Sequence, residues 1–344
     1  MAIRTLIVDD SAFARKVVRE VLSVSAAIEI VGAARDGMEA LDMTATLNPD
    51  VVLCDLQMPV LDGVGFVRRQ MQIRPLPILI LSAAAEDGEE IVSALGAGAV
   101  DVVRKPSALA NDDLRTVQSE LIDKLVQAAG ISARNLPRAS ELGVPPAVRL
   151  SDASAQVDLV AIGISTGGPQ ALRRMLPLFP ANFPVPIAIV LHMPIGYTAA
   201  FAAKLDETSQ LEVKEAEDGD VLRPGRALLA QAGRHLSFRR KPDGSVVAQL
   251  SMLPVDKIHR PSVDVLFRSA ADIFGSRVLS VVMTGMGDDG LEGSSWVKAR
   301  GGSVITEAEK SCVIYGMPRS VEEAGLSDAS IPLDEMASEI LKRS

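Results

Sequence analysis

Short apolar runs alternate with segments of helical periodicity through the first 130 residues of the chain. Five runs have the length and composition of buried strands, at residues 5–8, 28–33, 51–54, 78–81 and 100–103. Helical spacing is seen between and after them, in Phe13, Val17, Val18, Val21 and Leu22 and in Leu114, Val117, Leu121 and Leu125. Strands that alternate with helices of this length predict an α/β domain with a doubly wound parallel sheet.

The same alternation returns in the second half. Apolar runs at 157–164, 185–191 and 278–283 predict the core strands of a second doubly wound parallel sheet. Between the halves, the stretch 131–156 contains three prolines and no sustained period, which is typical of a linker. We therefore expect domains at 1–125 and 157–344, joined by a helix end and flexible linker at 126–156.

Composition narrows the class of protein. The chain has 344 residues, of which 48% are hydrophobic and 23% charged, as in ordinary globular proteins. No apolar run approaches the ~20 residues of a membrane span, and the first residues lead directly into a strand. A net charge of −9 and only 3% aromatic residues argue against binding to nucleic acid or insertion into a membrane. Cys54 and Cys312 lie in apolar runs without metal-ligand spacing, so we expect buried thiols in a cytoplasmic protein.

Polar residues of particular types stand at the carboxyl ends of the predicted strands in the first half. They are Asp9 and Asp10 after strand one, Asp55 after strand three, Ser82 after strand four and Lys105 after strand five. Ligands bind at this edge of a doubly wound sheet. Three carboxylates suit Mg²⁺, and the lysine and serine could hold the oxygens of a phosphoryl group on Asp55. The alternative is that each acid only caps the helix that follows it.

A tight turn from strand to helix carries the candidate nucleophile of the second half. Gly163, Ser165 and Gly167 form a G-x-S-x-G motif between a buried strand and a helix with Pro169 at its start. Such a turn exposes a serine hydroxyl and offers backbone N–H groups to a negative oxygen. Glycine turns also cradle phosphates, and many have no chemical role. A nicotinamide site is disfavoured, because Ser165 occupies its middle glycine position and His192 its acidic position.

Two further strand ends complete a possible triad. His192 follows the strand at 185–191, and Asp288 and Asp289 follow the strand at 278–283. Serine, histidine and aspartate supply a nucleophile, a base and a group that orients the base. The other two histidines, His235 and His259, lie in polar stretches and are typical of solvated loops. The order Ser, His, Asp differs from that of the α/β-hydrolases, which indicates a different fold.

The first half resembles the receiver domain of bacterial response regulators. The resemblance rests on Val8-Asp9-Asp10-Ser11, Cys54-Asp55-Leu56-Gln57-Met58-Pro59, Leu61-Asp62-Gly63, Leu81-Ser82-Ala83 and Lys105-Pro106. It implies a flavodoxin-like fold, Asp55 as the phosphoacceptor and Mg²⁺ bound by Asp10, Asp55 and the backbone carbonyl of Gln57, with Asp9 in support. Val102 departs from the pattern, because receivers usually carry an aromatic switch residue there.

The second half resembles the catalytic domain of the chemotaxis protein-glutamate methylesterases. The matching stretches are Gly163-Ile164-Ser165-Thr166-Gly167-Gly168, His192-Met193-Pro194, Lys214-Glu215-Ala216-Glu217-Asp218-Gly219, His259-Arg260-Pro261-Ser262-Val263-Asp264, Thr284-Gly285-Met286-Gly287-Asp288-Asp289-Gly290 and Ser311-Cys312 with Gly316-Met317-Pro318. Only this resemblance selects Asp289 over Asp288 as the triad acid. It also implies a Rossmann-like domain. The segment 229–233 lacks the family's usual Ala-Pro-Gly turn.

Together the two resemblances imply a phosphorylation-activated enzyme. Ser165, His192 and Asp289 would hydrolyse glutamate methyl esters on chemoreceptors and deamidate receptor glutamines, without a cofactor for the esterase reaction. We expect the oxyanion donors to be backbone N–H groups near Thr166 and Met286. The receiver would cover the triad until a chemotaxis histidine kinase phosphorylates Asp55. Two alternatives are a phosphorylation-switched module that only docks to receptors and a receiver-gated hydrolase of another ester.

Overall fold

The computed structural model describes residues 2–82, 88–106, 111–131, 136 and 157–344, with the backbone alone at 111–116. The chain divides into two compact units, Met1–Leu142 and Gly143–Ser344. Most of the predicted linker, 126–156, lies outside the described residues, so the predicted domain bounds stay a prediction. No helix among the described residues is long and apolar enough to cross a membrane.

The first unit is a five-stranded parallel sheet with the order β2-β1-β3-β4-β5. Strands and helices alternate throughout, which confirms the predicted α/β class. In chain order the elements are β1 Ile3–Val8, α1 Ala12–Leu22, β2 Ile28–Ala34, α2 Gly37–Leu47, β3 Val51–Asp55, α3 Gly63–Ile73, β4 Ile78–Ser82, α4 Gly88–Ala97, β5 Asp101–Arg104 and α5 Asn111–Ala129. The central strands β3 and β4 are buried along their whole length, because helices cover both faces of the sheet.

The second unit contains a seven-stranded parallel sheet with the order β14-β13-β12-β6-β7-β9-β8. A doubly wound parallel sheet was predicted for this half of the chain, and the structure confirms it. The elements are β6 Leu159–Ile164, α6 Gly168–Met175, β7 Ile187–Leu191, α7 Thr198–Thr208, β8 Glu212–Glu215, β9 Arg226–Leu229, β10 His235–Arg240, β11 Val246–Ser251, α8 Val263–Phe274, β12 Val278–Val282, α9 Leu291–Ala299, β13 Ser303–Glu307, α10 Met317–Glu323, β14 Ala329–Ile331 and α11 Leu333–Arg343.

An antiparallel hairpin of β10 and β11 stands apart from this sheet and was not predicted. It packs on α8 through Phe238, Leu236 and Ala248, which belong to the same buried cluster as Leu266 and Phe267. Its first residue, His235, was expected in a solvated loop. This expectation is wrong, because the side chain of His235 is completely buried.

The turn after β3 holds a β-branched residue in an unfavourable backbone conformation. Val60 has φ of 67°, and its side chain is 83% exposed. The Leu61 N–H donates to the Pro59 carbonyl at 2.7 Å, which closes a three-residue turn around Val60. The left-handed conformation costs an ordinary residue about 1–2 kcal/mol, and no buried contact of Val60 offsets that cost.

We predict that Val60→Asn raises the free energy of unfolding of the first unit by about 1 kcal/mol, because asparagine tolerates the left-handed region. Calorimetry of the whole chain would show this as a rise of a few degrees in that unit's midpoint. Val24→Asn is the matched control, since Val24 is 66% exposed and is not among the residues with positive φ. A lower midpoint for Val60→Asn than for the control would contradict the prediction.

Candidate active site and phosphoacceptor site

Three neighbouring strands of the second sheet end at the same edge. β6 pairs with β7 on one side and with β12 on the other, with Ile164 opposite Leu191 and Gly163 opposite Val282. The residues that follow these partners therefore meet, and the His192 N–H donates to the Ile164 carbonyl at 3.2 Å. The register thus brings Ser165, His192 and the loop after β12 together, as the sequence predicted.

Ser165 lies on a tightly constrained turn between β6 and α6. Its N–H donates to the Thr284 carbonyl at 2.9 Å, and its own carbonyl accepts the Gly168 N–H at 2.7 Å. Gly167 has φ of 82° and directly precedes α6, a conformation that glycine adopts without strain. Gly285 packs so close that a Cβ there would lie 2.7 Å from the Ser165 Cβ. The serine is therefore held by backbone contacts from both sides.

Among the described residues, the side chain of His192 makes one hydrogen bond, and that bond shows which ring nitrogen is left available as a base. The distance from its Nε2 to Asp289 Oδ2 is 2.9 Å. Nδ1 is buried and has no hydrogen-bond partner among the described residues. A carboxylate accepts a proton from Nε2, so this arrangement stabilises the tautomer with a free lone pair on Nδ1. The orientation is the reverse of the usual Ser-His-Asp template, in which Nδ1 faces the acid.

Asp289 is held at the N-terminus of α8. Its carboxylate accepts the N–H groups of Val263 at 2.8 Å and Asp264 at 3.0 Å, and the Ser262 hydroxyl at 2.9 Å. Burial acts to raise the pKa of Asp289, but the His192 contact and these donors outweigh it and bring the pKa well below its ordinary value. The carboxylate is therefore ionised and fixed in direction before any substrate binds.

The structure distinguishes between the two adjacent aspartates, which the residue pattern alone could not tell apart. Asp288 is exposed, whereas Asp289 is buried and contacts His192. Ser262 was not predicted as a partner of Asp289. The serine immediately before the apolar spacing of α8 was the available signal, since serine is common at that position.

The other two histidines flank the site, His259 as an exposed residue and His235 as a buried one. The ring of His259 stacks on the ring of His192, with centroids 4.1 Å apart and an interplanar angle of 17°. His235 Nδ1 accepts the Ser262 N–H at 3.2 Å, and its Nε2 lies 3.0 Å from the Pro254 carbonyl. His235 thus supports the residue that supports Asp289. The interpretation of His235 as a solvated loop histidine is wrong, because its side chain is buried. His259 is exposed in a loop, as expected, but its ring also packs on His192.

The predicted nucleophile and the predicted base are not joined by a hydrogen bond within the described residues. The described residues show no hydrogen bond between Ser165 Oγ and His192, although their backbones are adjacent. Catalytic hydrogen bonds are often long before substrate binds, so this geometry does not exclude proton transfer.

The backbone N–H of Met286, one of the two predicted oxyanion donors, has no hydrogen-bond acceptor among the described residues. Gly233, in the segment that departs from the family pattern, donates to the Arg260 carbonyl at 2.9 Å.

The first unit gathers its acidic residues around a lysine. Lys105 Nζ lies 2.8 Å from Asp55 Oδ2 and 2.9 Å from Asp9 Oδ2. Asp9, Asp10 and Asp55 each offer a carboxylate oxygen within 4.8 Å of the others. Asp9 and Asp55 are buried, whereas Asp10 is exposed. The predicted cluster at the strand ends is therefore present, and its donor set is one that Mg²⁺ prefers.

Electrostatics of this cluster follow from burial and the lysine. Burial raises the pKa of Asp55, and the contact with Lys105 opposes the change. For Lys105, burial acts to lower the pKa, but the hydrogen bonds to Asp55 and Asp9 outweigh it and raise the pKa. Lys105 therefore stays charged and partly neutralises the two acids.

The structure argues against the interpretation of these acids as helix caps. The side chain of Ser11 caps α1 by accepting the Ala14 N–H, and that of Asp62 caps α3 by accepting the Gly65 N–H. Asp55 instead accepts its neighbour's N–H, from Leu56, at 2.8 Å. The helices thus have their own caps, and the acids at the sheet edge are available for other chemistry.

The remaining predicted residues of this site lie around the same edge. Ser82 ends β4, is buried and accepts the Lys105 N–H on its carbonyl at 2.7 Å. Gln57 is exposed in the turn after β3. Val102, in the place of an aromatic switch residue, is buried in β5, and its carbonyl accepts a hydrogen bond from Lys124 Nζ at 3.0 Å.

Comparisons with known proteins agree with both halves of this description. Residues 160–340 match the CheB methylesterase family model, and residues 5–117 match the response regulator receiver domain. A protein-glutamate methylesterase/protein-glutamine glutaminase of Myxococcus xanthus is 49% identical over 97% of this chain and 96% of its own length. One from Geobacillus kaustophilus is 42% identical over 99% of this chain and 98% of its own.

A solved structure extends the agreement to the fold of the second unit. The crystal structure of the Thermotoga maritima CheB methylesterase catalytic domain matches with a TM-score of 0.53 and 42% sequence identity. The match covers 56% of this chain and 100% of that chain. The fold and the site together define a two-domain response regulator whose output domain is a carboxylic ester hydrolase. The chain belongs to the CheB methylesterase family, which confirms the resemblance stated from the motifs.

We predict that Asp289→Asn lowers the free energy of unfolding of the second unit by about 3 kcal/mol at pH 7. In the variant, the amide NH₂ group would face N–H and O–H donors that bind the carboxylate in the wild type. Because the pKa of Asp289 is depressed below its ordinary 3.8, the stability it contributes is present above that value and is lost as the pH falls. Chemical denaturation at pH 7 and at pH 2 would measure the difference, because at pH 2 this carboxyl is protonated in the unfolded chain.

The matched control for this prediction is Asp288→Asn, which removes the same charge one residue away from an exposed position. We expect it to change the free energy of unfolding by less than about 0.5 kcal/mol at either pH. Equal losses in the two variants, or a loss in Asp289→Asn that does not shrink in acid, would contradict the assignment.

Proposed function

We propose that this chain hydrolyses glutamate methyl esters on chemoreceptors, with release of methanol, and that the same site deamidates receptor glutamines. The observation that carries the proposal is the pairing of His192 Nε2 with an ionised Asp289, which leaves Nδ1 without a hydrogen-bond partner among the described residues. The backbone of His192 is hydrogen-bonded to Ile164, the residue before Ser165. The names of the relatives in Myxococcus xanthus and Geobacillus kaustophilus supply the substrate class. The site supplies the chemistry.

In the proposed mechanism, His192 Nδ1 takes the proton of Ser165 Oγ as the oxygen attacks the ester carbonyl carbon. The tetrahedral intermediate expels methoxide, which receives that proton from Nδ1 and leaves as methanol. Water then attacks the acyl-enzyme, with Nδ1 as base, and the glutamate carboxylate and free Ser165 are regenerated. Asp289 holds the ring and stabilises the imidazolium in both steps.

Backbone N–H groups of Thr166 and Met286 are our candidates for the oxyanion hole. Met286 follows Gly285, which packs directly against Ser165, and its N–H has no acceptor among the described residues. One such donor is worth about 3 kcal/mol of transition-state stabilisation. The esterase reaction so described uses side chains and backbone of this chain and, in our proposal, no cofactor.

For the receiver we propose Asp55 as the phosphoacceptor and a chemotaxis histidine kinase as its phosphodonor. Asp10, Asp55 and the Gln57 carbonyl, with Asp9 in support, would hold Mg²⁺. The ion would neutralise charge on the phosphoryl oxygens when bound. Lys105 and Ser82 would contact those oxygens. Lys105 already lies 2.8 Å from Asp55, so a phosphoryl group on Asp55 would be within its reach.

We further propose that phosphorylation of Asp55 raises the esterase activity by shifting the protein toward an open form. A change from mostly inactive to mostly active molecules needs a few kcal/mol of differential stability, which a phosphoryl group can supply through new contacts. The cytoplasm is the location we propose. The two buried free cysteines, Cys54 and Cys312, fit a reducing compartment.

Methanol release from methylated receptors tests the proposed activity. We predict release by the intact protein and a loss of at least about 10³-fold in Ser165→Ala, since the nucleophile is removed. Ser295→Ala is the control, because Ser295 is an exposed serine of α9. Receptor binding without release under any condition would support the docking module. Hydrolysis of small esters without methanol release from receptors would support another ester hydrolase.

Acetyl phosphate tests the control by the receiver. We predict that it raises the rate of methanol release severalfold in the wild type and leaves the rate unchanged in Asp55→Asn. Asp10→Asn should weaken the Mg²⁺ dependence of this activation, whereas Asp42→Asn, at an exposed position of α2, should not. Activation that persists in Asp55→Asn would refute Asp55 as the phosphoacceptor and leave the esterase proposal intact.

A further inference from the structure

A buried carboxyl group that the mechanism above does not use lies next to the nucleophile turn. Glu307 is the last residue of β13, and its side chain is completely buried. Oε2 accepts the Thr284 N–H at 2.9 Å, and Oε1 accepts the Ser311 hydroxyl at 2.9 Å. No ion pair within the described residues includes Glu307. A buried carboxyl group without a cation is costly, so a specific role is needed to explain it.

Thr284 connects Glu307 to the nucleophile. Its carbonyl accepts the Ser165 N–H at 2.9 Å. Its hydroxyl donates to the Thr166 carbonyl at 3.0 Å and accepts the Ile314 N–H at 3.0 Å. Thr284 therefore contacts the Ser165 turn through two of its groups, while its N–H is anchored on Glu307.

The same residue also sets the position of a candidate oxyanion donor. Thr284 directly precedes Gly285 and Met286, and the Gly285 N–H donates to the Ile314 carbonyl at 3.0 Å. A displacement of Thr284 would thus move the Ser165 backbone and the Met286 N–H together. Displacements of this kind lower kcat more than they change substrate binding.

We propose that Glu307 is a positioning residue of the esterase site, which acts through Thr284 to hold the Ser165 turn in its reactive geometry. This inference rests on the proposed function of Ser165. The role requires an acceptor for the Thr284 N–H at the end of β13. It does not require a negative charge, because one oxygen of a neutral acid or an amide also accepts that N–H.

The surroundings of Glu307 explain why its charge is only weakly stabilised. The charged groups that act on Glu307 are Arg174 of α6 and Asp334 of α11. Glu307 in turn acts on Cys312 in the loop after β13, which is also near Glu322 of α10 and Glu309. Arg174 is the one cation among them, and it pairs with Asp334 at 2.6 Å. Burial raises the pKa of Glu307 to about 7, against the hydrogen bonds from Thr284 and Ser311.

The pKa gives a signature that separates Glu307 from an ordinary packing residue. Because the folded-state pKa exceeds the ordinary 4.5, the folded protein keeps a proton that the unfolded chain has lost. Stability therefore falls as pH rises from about 4.5 to about 7 in the wild type. In Glu307→Gln this dependence is absent, so the midpoint of the variant relative to the wild type should rise between pH 5 and pH 8.

The experiment compares methanol release by the full-length wild type, Glu307→Gln and Glu307→Leu. The amide keeps an acceptor for the Thr284 N–H, and we expect its kcat to stay within about threefold of the wild type. Leucine leaves that N–H buried without a partner, and we expect kcat to fall roughly tenfold or more with little change in KM. Val304→Ala, which leaves a cavity at a buried position of the same strand, is the control for lost stability alone. We expect it to keep the kcat of the wild type.

Two results would overturn the inference while leaving Ser165-dependent release intact. One is folded Glu307→Leu with the kcat of the wild type, and the other is an equal loss of kcat in the glutamine and leucine variants. Should the leucine variant fail to fold, Thr284→Val decides, since it removes the hydroxyl contact with Thr166 and should also lower kcat. A wild-type kcat in Thr284→Val would refute the connection. Loss of Ser165 dependence would instead refute the proposed function.

Discussion

The esterase site depends on one carboxylate bound at the start of one helix. Asp289 accepts two N–H groups of the first turn of α8, the hydroxyl of Ser262 and the proton on His192 Nε2. Four donors on one buried carboxylate keep it ionised and leave it one orientation. The orientation of the carboxylate sets the orientation of the imidazole ring. The imidazole in turn keeps Nε2 on Asp289 and leaves Nδ1 without a hydrogen-bond partner among the described residues.

That interaction is possible because parallel strands deliver their chemistry to one edge. The register of β6, β7 and β12 aligns the residues that follow them, and Ser165, His192 and Asp289 come from those three strand ends. The first unit uses the same rule for different chemistry. There β1, β3 and β5 bring two buried acids against Lys105, which remains charged because both acids contact it. The parallel strands bring the side chains that follow them close together, and the neighbouring charges determine what chemistry those side chains can do.

Strand ends were predictable from the sequence because buried parallel strands read as short continuous apolar runs. Ser165, His192, Asp9 and Asp55 follow such runs directly and Lys105 follows one residue later, and all were identified in this way. The choice of Asp289 over Asp288 was not accessible to periodicity, since both follow the same strand. It depends on which side chain faces the start of α8, a tertiary contact, and only the family resemblance anticipated it.

The misses have a common physical cause. His235, His259 and Glu307 contact residues far away in the sequence, and nothing in their immediate neighbours indicates those contacts. For Ser262 the neighbours indicate a helix start but not the contact with Asp289. His235 follows Gly233 and Arg234, a pair typical of a turn, so the sequence indicated a loop. In the structure it is the first residue of β10, in a hairpin that packs on α8. Polar residues were placed correctly where the backbone topology decides their position. They were missed where side-chain packing does.

The most direct test of the central claim is to look for the covalent intermediate on Ser165. Full-length protein would be mixed with methylated receptor, quenched in acid at short times, digested and analysed by mass spectrometry. The account predicts a receptor peptide joined as a glutamyl ester to the peptide that contains Ser165, appearing before steady state and absent in Ser165→Ala. Rapid methanol release with no adduct at any time, and with Ser165→Ala equally active, would contradict the account.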